Sequence, residues 1–220
     1  MISPALRVAR SPQLYNPVPD GCVLHLPLWH PELSGAVFNS TDDFRHVVTV
    51  NNAVYGGTGR TFDGTDDWID IPNHTALRLK GDFTLEVWFM KTGGAAAMYV
   101  IDNNYSDGYG LSWSNVNQMR FWRNNELIYS TNDLTSTTTF YHVVGTVAGT
   151  AGTVYVNGAY NNSGALATAP AFSAPNLDIG QRNDGTLEFT GIIGEVRIYK
   201  RALTAAEVLH SYNTTNWRYQ

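Results

Sequence analysis

The segment Gly191-Ile192-Ile193-Gly194-Glu195-Val196-Arg197-Ile198-Tyr199-Lys200-Arg201-Ala202-Leu203-Thr204-Ala205-Ala206-Glu207-Val208 joins a strand to a helix end to end. In Gly191–Tyr199, Ile192, Val196 and Ile198 fall on one side, and Glu195, Arg197 and Tyr199 on the other. A period of two with one apolar side marks a strand whose face meets a core. Thr204-Ala205-Ala206-Glu207 then reads as a capping box. The Thr204 hydroxyl can accept from the Glu207 N–H while the Glu207 carboxylate reaches back. A short helix is predicted from there to near Tyr212, pinned by Leu203, Val208 and Leu209.

Working outward, strand-type runs separated by Gly, Asn, Asp and Ser recur about every ten residues. They are Val23–Trp29, His46–Val50, Trp68–Ile71, Phe83–Phe89, Tyr99–Asp102, Tyr109–Trp113, Met119–Trp122, Glu126–Ser130, Tyr141–Val147, Thr153–Val156 and Leu177–Ile179. In Phe83–Phe89, the residues Phe83, Leu85, Val87 and Phe89 share one side, and Thr84, Glu86 and Trp88 the other. Asn157-Gly158 stands where a type I′ hairpin turn needs two residues at positive φ. Repeated strands of this kind predict antiparallel sheets packed face to face. The chain is expected to be all-β, a two-sheet antiparallel β-sandwich with one short C-terminal helix.

Four prolines (Pro4, Pro12, Pro17, Pro19) interrupt Met1–Asp20, which reads as an extended arm. Residues 21–220 then form one domain. The arm has no apolar stretch of signal-peptide type. No apolar run approaches the roughly 20 residues of a membrane span.

Composition narrows the function. Charged residues are 15% of the 220 and the net charge is −5, with aromatics at 12%. A basic nucleic-acid binder is excluded, and so is a charge-rich, aromatic-poor disordered chain. The single cysteine, Cys22, rules out an internal disulfide framework and a cysteine zinc site. It reads as a small residue at a strand start.

The motifs fall in a recognisable order. Thr61 to Pro72 resembles the "FDG-x-DDyv-x-vp" strand of LamG-like jelly-roll domains in the concanavalin A-like lectin/glucanase superfamily. Asp82–Phe89 is similar to the family's "sFTlsaWvk", and Phe140–Val147 to "WhhvavT", with Tyr141 where Trp is usual. Gly152–Gly158 resembles "xxLYVDG", and Leu177–Gly180 resembles "LxIG". Gly191–Val208 resembles "GxIDEVRIYnRALsaxEI", with Gly194 in place of the usual Asp. The resemblance covers about Pro19 to Tyr212, and it implies a sandwich of two curved sheets, a concanavalin A-like jelly roll. Members serve as carbohydrate-binding modules, adhesion domains, lectins, appended enzyme domains and parts of phage particles, so fold alone leaves function open.

Glycosidases of this fold place acids close together on one strand, because retaining hydrolysis needs two carboxylates about 5 Å apart. No E-x-D-x-x-E run occurs here. Glu86 and Glu195 are the only acids on the outward sides of the clearest strands. Arg197 shares a side with Glu195 and reads as its ion-pair partner. His142 reads as a structural hydrogen-bonding residue. The chain is expected not to be an enzyme.

The resemblance also implies a possible structural calcium, held by hard oxygen donors. The candidate ligands are Asp63, Asp66, Asp102 and Asp107, drawn from the cluster Asp63, Asp66, Asp67, Asp70 and the loop Asp102–Asp107; turn chemistry explains the same residues. Gly194 removes one carboxylate from a family position. Sugars dock on aromatic faces flanked by amides. The stretch Asp102–Asn125 supplies both, with Asn103, Asn104, Tyr105, Tyr109, Trp113, Trp122 and Asn124 as candidate glycan contacts. Alternation sets Phe121 opposite Trp122, so one of them should lie outside.

The expected role is that of a non-enzymatic module displayed on a larger assembly such as a phage capsid or tail. The arm would contact a capsid or tail protein or identical subunits, and the loops would be free to meet glycans. That places the protein on a virion surface or outside the cell, with no nucleic-acid or membrane partner. The alternative is a free carbohydrate-binding or adhesion module of a secreted protein, with a glycoside hydrolase as the remote alternative.

Overall fold

A computed structural model describes residues 15–94, 97–131, 134–172 and 175–220. Its sixteen strands, in chain order, are β1 Cys22–Pro27, β2 Val37–Asn39, β3 Val47–Asn51, β4 Val54–Gly56, β5 Gly59–Asp63, β6 Trp68–Ile71, β7 Phe83–Lys91, β8 Met98–Asn103, β9 Tyr109–Trp113, β10 Met119–Arg123, β11 Glu126–Tyr129, β12 Tyr141–Ala148, β13 Ala151–Val156, β14 Ala159–Ala165, β15 Leu177–Ile179 and β16 Thr190–Tyr199. One helix, α1 Ala205–Thr215, follows. The first sheet runs β14-β13-β12-β7-β16-β5-β4, with β1 also on β16; the second runs β11-β10-β9-β8-β15-β6-β3-β2.

β16 is the spine of the first sheet. Along one edge it pairs with β7; along the other its first half pairs with β5 and its second half with β1. Between the sheets lies a core that includes Phe83, Leu85, Val87, Phe89, Trp113, Phe121, Val196 and Ile198. A Leu-sized side chain buried there stabilises the fold by roughly 2 kcal/mol. The expected β7 alternation holds, and the Asn157-Gly158 turn has both residues at positive φ, 50° and 77°.

The β16 alternation needs a correction. Ile193 is the fully buried core residue, and Ile192 is only half buried. A register shift between Ile193 and Glu195 changes the phase of the strand, as a β-bulge does. Gly194 sits at that shift. A Cβ there would collide with the Tyr219 ring and the Thr58 carbonyl, so an Asp at this position would force its neighbours to shift.

The capping box forms: Glu207 N–H donates to the Thr204 hydroxyl at 3.3 Å, and Thr204 N–H donates to the Glu207 carboxylate at 2.8 Å. The helix runs three residues past Tyr212, to Thr215. Val208 and Leu203 are buried as expected, but Leu209 is 47% exposed. The inward side of α1 is Val208, Ser211 and Thr215, because α1 lies over a polar patch of the first sheet. The Trp88 indole N–H donates to the Thr215 hydroxyl at 2.9 Å, and its ring stacks on Tyr219 at 4.5 Å.

Four strands have no counterpart in the runs read from sequence: β2, β4, β5 and β14. β2 and β4 have three residues each, β5 has five, and β14 is the polar run AYNNSGA. They lie at or near sheet edges, where hydrophobic patterning is weak. Of the expected arm, Tyr15 to Pro19 lies on the outer face of the first sheet. Val18 packs with Val144, Tyr155, Tyr199 and Leu203. Residues 1–14 fall outside the described residues.

Candidate functional site

Two groups of ionisable side chains stand out, one on the outer face of each sheet. On the first sheet, Arg197 donates from Nη1 to Glu86 at 2.6 Å and from Nη2 to Glu195 at 2.5 Å. His142 Nε2 lies 2.9 Å from Glu86 and His25 Nε2 lies 2.9 Å from Glu195. The Ser211 hydroxyl of α1 donates to Glu86 at 2.5 Å. Burial alone would raise both glutamates; Arg197 and the histidines outweigh it and hold both carboxyls below their ordinary range. Each glutamate is about 1% exposed. Two carboxylates that share one guanidinium under a helix cannot flank a glycosidic bond. The ion pair expected between Glu195 and Arg197 is therefore half of a larger buried network, and His142 is structural.

On the second sheet, neighbouring strands bring Asp70, Asp178 and Asp102 into one cross-strand row. Beyond Asp102 the row continues through Gly110, Trp122 and Leu127. Like charges directly opposite one another destabilise a sheet. Burial pushes Asp102 up to about 7, helped by the nearby Asp178. Asp178 is pushed up to about 6, again by burial first and then by Asp70. Local donors hold one oxygen of each: Asn183 N–H on Asp102 Oδ2 at 2.8 Å, Gln181 Nε2 on Asp178 Oδ2 at 3.1 Å, Asn176 Nδ2 on Asp70 Oδ1 at 2.8 Å. Asp102 Oδ1 and the Trp122 indole nitrogen are buried with no hydrogen-bond partner among the described residues.

Beside this row is an aromatic cluster. Trp122 lies flat across Gly110, where a Cβ would collide with its ring. Tyr99 and Tyr105 meet Trp122 edge-on, with centroids at 5.2 and 5.7 Å. Two guanidinium groups cover Tyr99: Arg120 at 5.7 Å and Arg182 at 5.9 Å from the ring centroid. Arg182 is also 5.6 Å from the Tyr105 ring. Tyr99 and Trp122 are buried, while Tyr105, Arg120 and Arg182 are half exposed. The cluster thus has a supporting layer and a solvent-facing layer.

Of the glycan contacts expected from sequence, the structure brings Tyr105 and Trp122 into this cluster. Trp122 is the outer residue of the Phe121/Trp122 pair, but Tyr99 and Tyr105 cap it and it has no exposed face. Tyr109 and Trp113 are corrected to core residues, at 0% and 1% exposure, because β9 turns them between the sheets. The Tyr109 hydroxyl donates to the Leu77 carbonyl at 2.7 Å. Asn103 is also buried; it points to the core side of β8 and donates to the Asn176 carbonyl at 3.5 Å. Asn104 opens the 104–108 loop at φ 67°, and Asn124 with Asn125 forms the β10–β11 turn at φ 48° and 66°; all three serve backbone geometry. Tyr99, Arg120, Arg182, Asp178 and Asp70 were not among the expected contacts. A signal existed: Ile69-Asp70-Ile71, Ile101-Asp102 and Leu177-Asp178-Ile179 each set an acid among strand aliphatics.

The calcium set is corrected too. Asp63, Asp66 and Asp67 have carboxylate oxygens within 4.8 Å of one another. Asp102 belongs to the β8 row and Asp107 to the 104–108 loop, and neither joins them. Asp63, Asp66 and Asp67 could supply hard oxygen donors to Ca²⁺. They also serve their own turn: Asp67 accepts from Asp63 N–H at 2.8 Å, and Asp63 from Thr65 N–H at 2.8 Å. Among the described residues, no helix is long and apolar enough to cross a membrane.

A laminin-G-type family model, described as Concanavalin A-like lectin/glucanases superfamily, matches residues 63–209. No curated protein matches the chain in sequence. Among solved structures, the binding domain of botulinum neurotoxin serotype D is similar at TM-score 0.72 and 14% identity, over 91% of this chain and 53% of that one. The binding domain of Paraclostridial Mosquitocidal Protein 1 gives 0.68 and 17%, over 92% and 53%. Trypanosoma rangeli sialidase gives 0.69 and 20%, over 91% and 34%. The chain spans about half the length of the toxin binding domains and a third of the sialidase. At these identities the likeness is one of fold. The β16–α1 segment, the two antiparallel sheets and the family match agree: the chain belongs to the concanavalin A-like lectin/glucanases superfamily.

Proposed function

We propose that the chain is a non-enzymatic module that binds carbohydrate on the outer face of the second sheet. Tyr105, Arg120 and Arg182 are the contacting side chains. The observation that carries this is their convergence around the buried Tyr99 ring: Arg120 and Arg182 lie 5.7 and 5.9 Å from its centroid, and Tyr105 meets it edge-on at 6.3 Å. An aromatic face suits the apolar face of a sugar ring, and guanidinium N–H groups donate to its hydroxyls. Packing against Tyr99 and Trp122 fixes the contact residues before a ligand arrives, which lowers the ordering cost of binding. The locked pair Glu86 and Glu195 supports the non-enzymatic part of the reading. Similar structures described as binding domains support the first part by analogy alone. The test is isothermal titration with glycans of varied composition, repeated on Tyr105→Ala. A glycan that binds the wild type and loses about tenfold or more in the variant, at unchanged melting temperature, supports the site.

A second reading concerns context: display on a larger assembly such as a phage capsid or tail, held through Met1–Asp20. What favours it is the placement of Tyr15–Pro19 on the outer face of the first sheet. A tether there leaves the opposite face, with Tyr105 and the two arginines, turned away from the assembly. Deleting the segment and measuring incorporation into particles tests this; unchanged incorporation refutes it.

A further inference from the structure

We infer that the ligand at this site carries an anionic group, gripped between Arg120 and Arg182. The inference rests on the carbohydrate reading above and names the ligand class. The chain has a net charge of −5, yet two arginines converge here on one tyrosine ring. Arg120 donates from Nε to the Ser112 hydroxyl at 2.9 Å and from Nη2 to the Trp113 carbonyl at 3.4 Å. Among the described residues it forms no salt bridge. Arg182 meets Asp184 through Nε alone, at 3.4 Å, and both side chains are solvent-exposed, at 36% and 51%. An exposed pair of this kind is weak and easily exchanged.

Arg120 is thus oriented by neutral contacts with no salt bridge among the described residues, while Arg182 is held by the two tyrosine rings and the exposed Asp184, and the buried Asp102 acts on it from beyond salt-bridge distance. Guanidinium forks match the spacing of carboxylate, sulfate and phosphate oxygens and hold them in two parallel hydrogen bonds. A uronate carboxylate and a sugar sulfate ester satisfy the same geometry. The ring that bears the anion would rest against Tyr105, which Arg182 also covers.

The experiment compares pairs of ligands that carry the same sugar chain with and without the anionic charge. Oligogalacturonate is titrated against its methyl ester, and a sulfated oligosaccharide against its desulfated form. The acidic member of at least one pair should bind about tenfold tighter at low salt, and the advantage should shrink as salt rises. Which pair responds identifies carboxylate or sulfate. Arg120→Gln and Arg182→Gln should each remove most of the preference, and Arg120→Lys should retain part of it. The preserved melting temperature of the Lys variant separates recognition from folding. Equal binding of charged and neutral members, unaffected by the arginine variants, overturns this inference and leaves the carbohydrate reading standing. Absence of binding to every glycan overturns both. A charge preference that the arginine variants retain places the anion elsewhere and also overturns it.

Discussion

Asp102→Asn should stabilise the protein at pH 8 and do little at pH 4. Asp102 is fully buried, directly opposite Asp178, and only one of its oxygens has a donor. Its carboxyl is raised from 3.8 to about 7, mainly by burial. That rise corresponds to roughly 4 kcal/mol, at 1.36 kcal/mol per pH unit of pKa. A carboxyl raised on folding gives its full stabilisation below the unfolded value and loses it as pH climbs through the folded value. The loss therefore falls between about pH 4 and pH 7. Asn removes the charge and keeps an acceptor for Asn183 N–H, but its amide hydrogens need partners of their own, so about 2 kcal/mol should be recovered at pH 8. For a chain of this size that is about 4–8 °C in melting temperature. The assay is thermal denaturation followed by circular dichroism at pH 4 and pH 8. A variant that is destabilised equally at both pH values would refute the reasoning. It would mean that the Asp102 charge is already compensated in the folded protein.

Three further outcomes test other parts of the structure. Arg197→Ala should cost about 3–5 kcal/mol, because it strands Glu86 and Glu195 as buried charges; urea unfolding at pH 7 measures it. The same glutamates are held below their ordinary range by Arg197 and the histidines, so their contribution is present above about pH 4.5 and is lost as pH falls. With the opposite trend of the aspartate row, which sets in above about pH 4, the contribution of these groups should peak at about pH 4–4.5, seen as a peak of melting temperature against pH. Gly194→Asp, which restores the family residue, should destabilise by about 1–3 kcal/mol through overpacking against Tyr219, and Gly194→Asp with Tyr219→Ala should recover part of that loss.

Much of the fold was legible because it rests on local chemistry. Clean alternation in Phe83–Phe89, positive-φ residues at Asn157-Gly158 and the Thr204/Glu207 box each act within a few residues of themselves. The phase of β16 was not legible, because a bulge at Gly194 depends on Tyr219 packing from the far end of the chain. Leu209 misled for a related reason. A helix lying on Glu86 and Trp88 turns Ser211 and Thr215 inward, and only the sheet beneath it dictates that. At the candidate site, composition pointed to Asp102–Asn125, which supplies Tyr105, Arg120 and Trp122 to the cluster, but not to Tyr99 or Arg182. Tyr109, Trp113 and Trp122 look alike in sequence, yet the first two enter the core and the third lies on the opposite face. Asp178 on β15 and Arg182 just after it reach the site from more than fifty residues beyond Trp122, a closeness that the order β8-β15-β6 creates.

The central claim is that the outer face of the second sheet is a carbohydrate site. The most direct measurement is a glycan array probed side by side with labelled wild type and Tyr105→Ala. The account predicts glycans bound by the wild type and lost by the variant, both proteins melting at the same temperature. An array without hits, or hits that Tyr105→Ala retains, would contradict it.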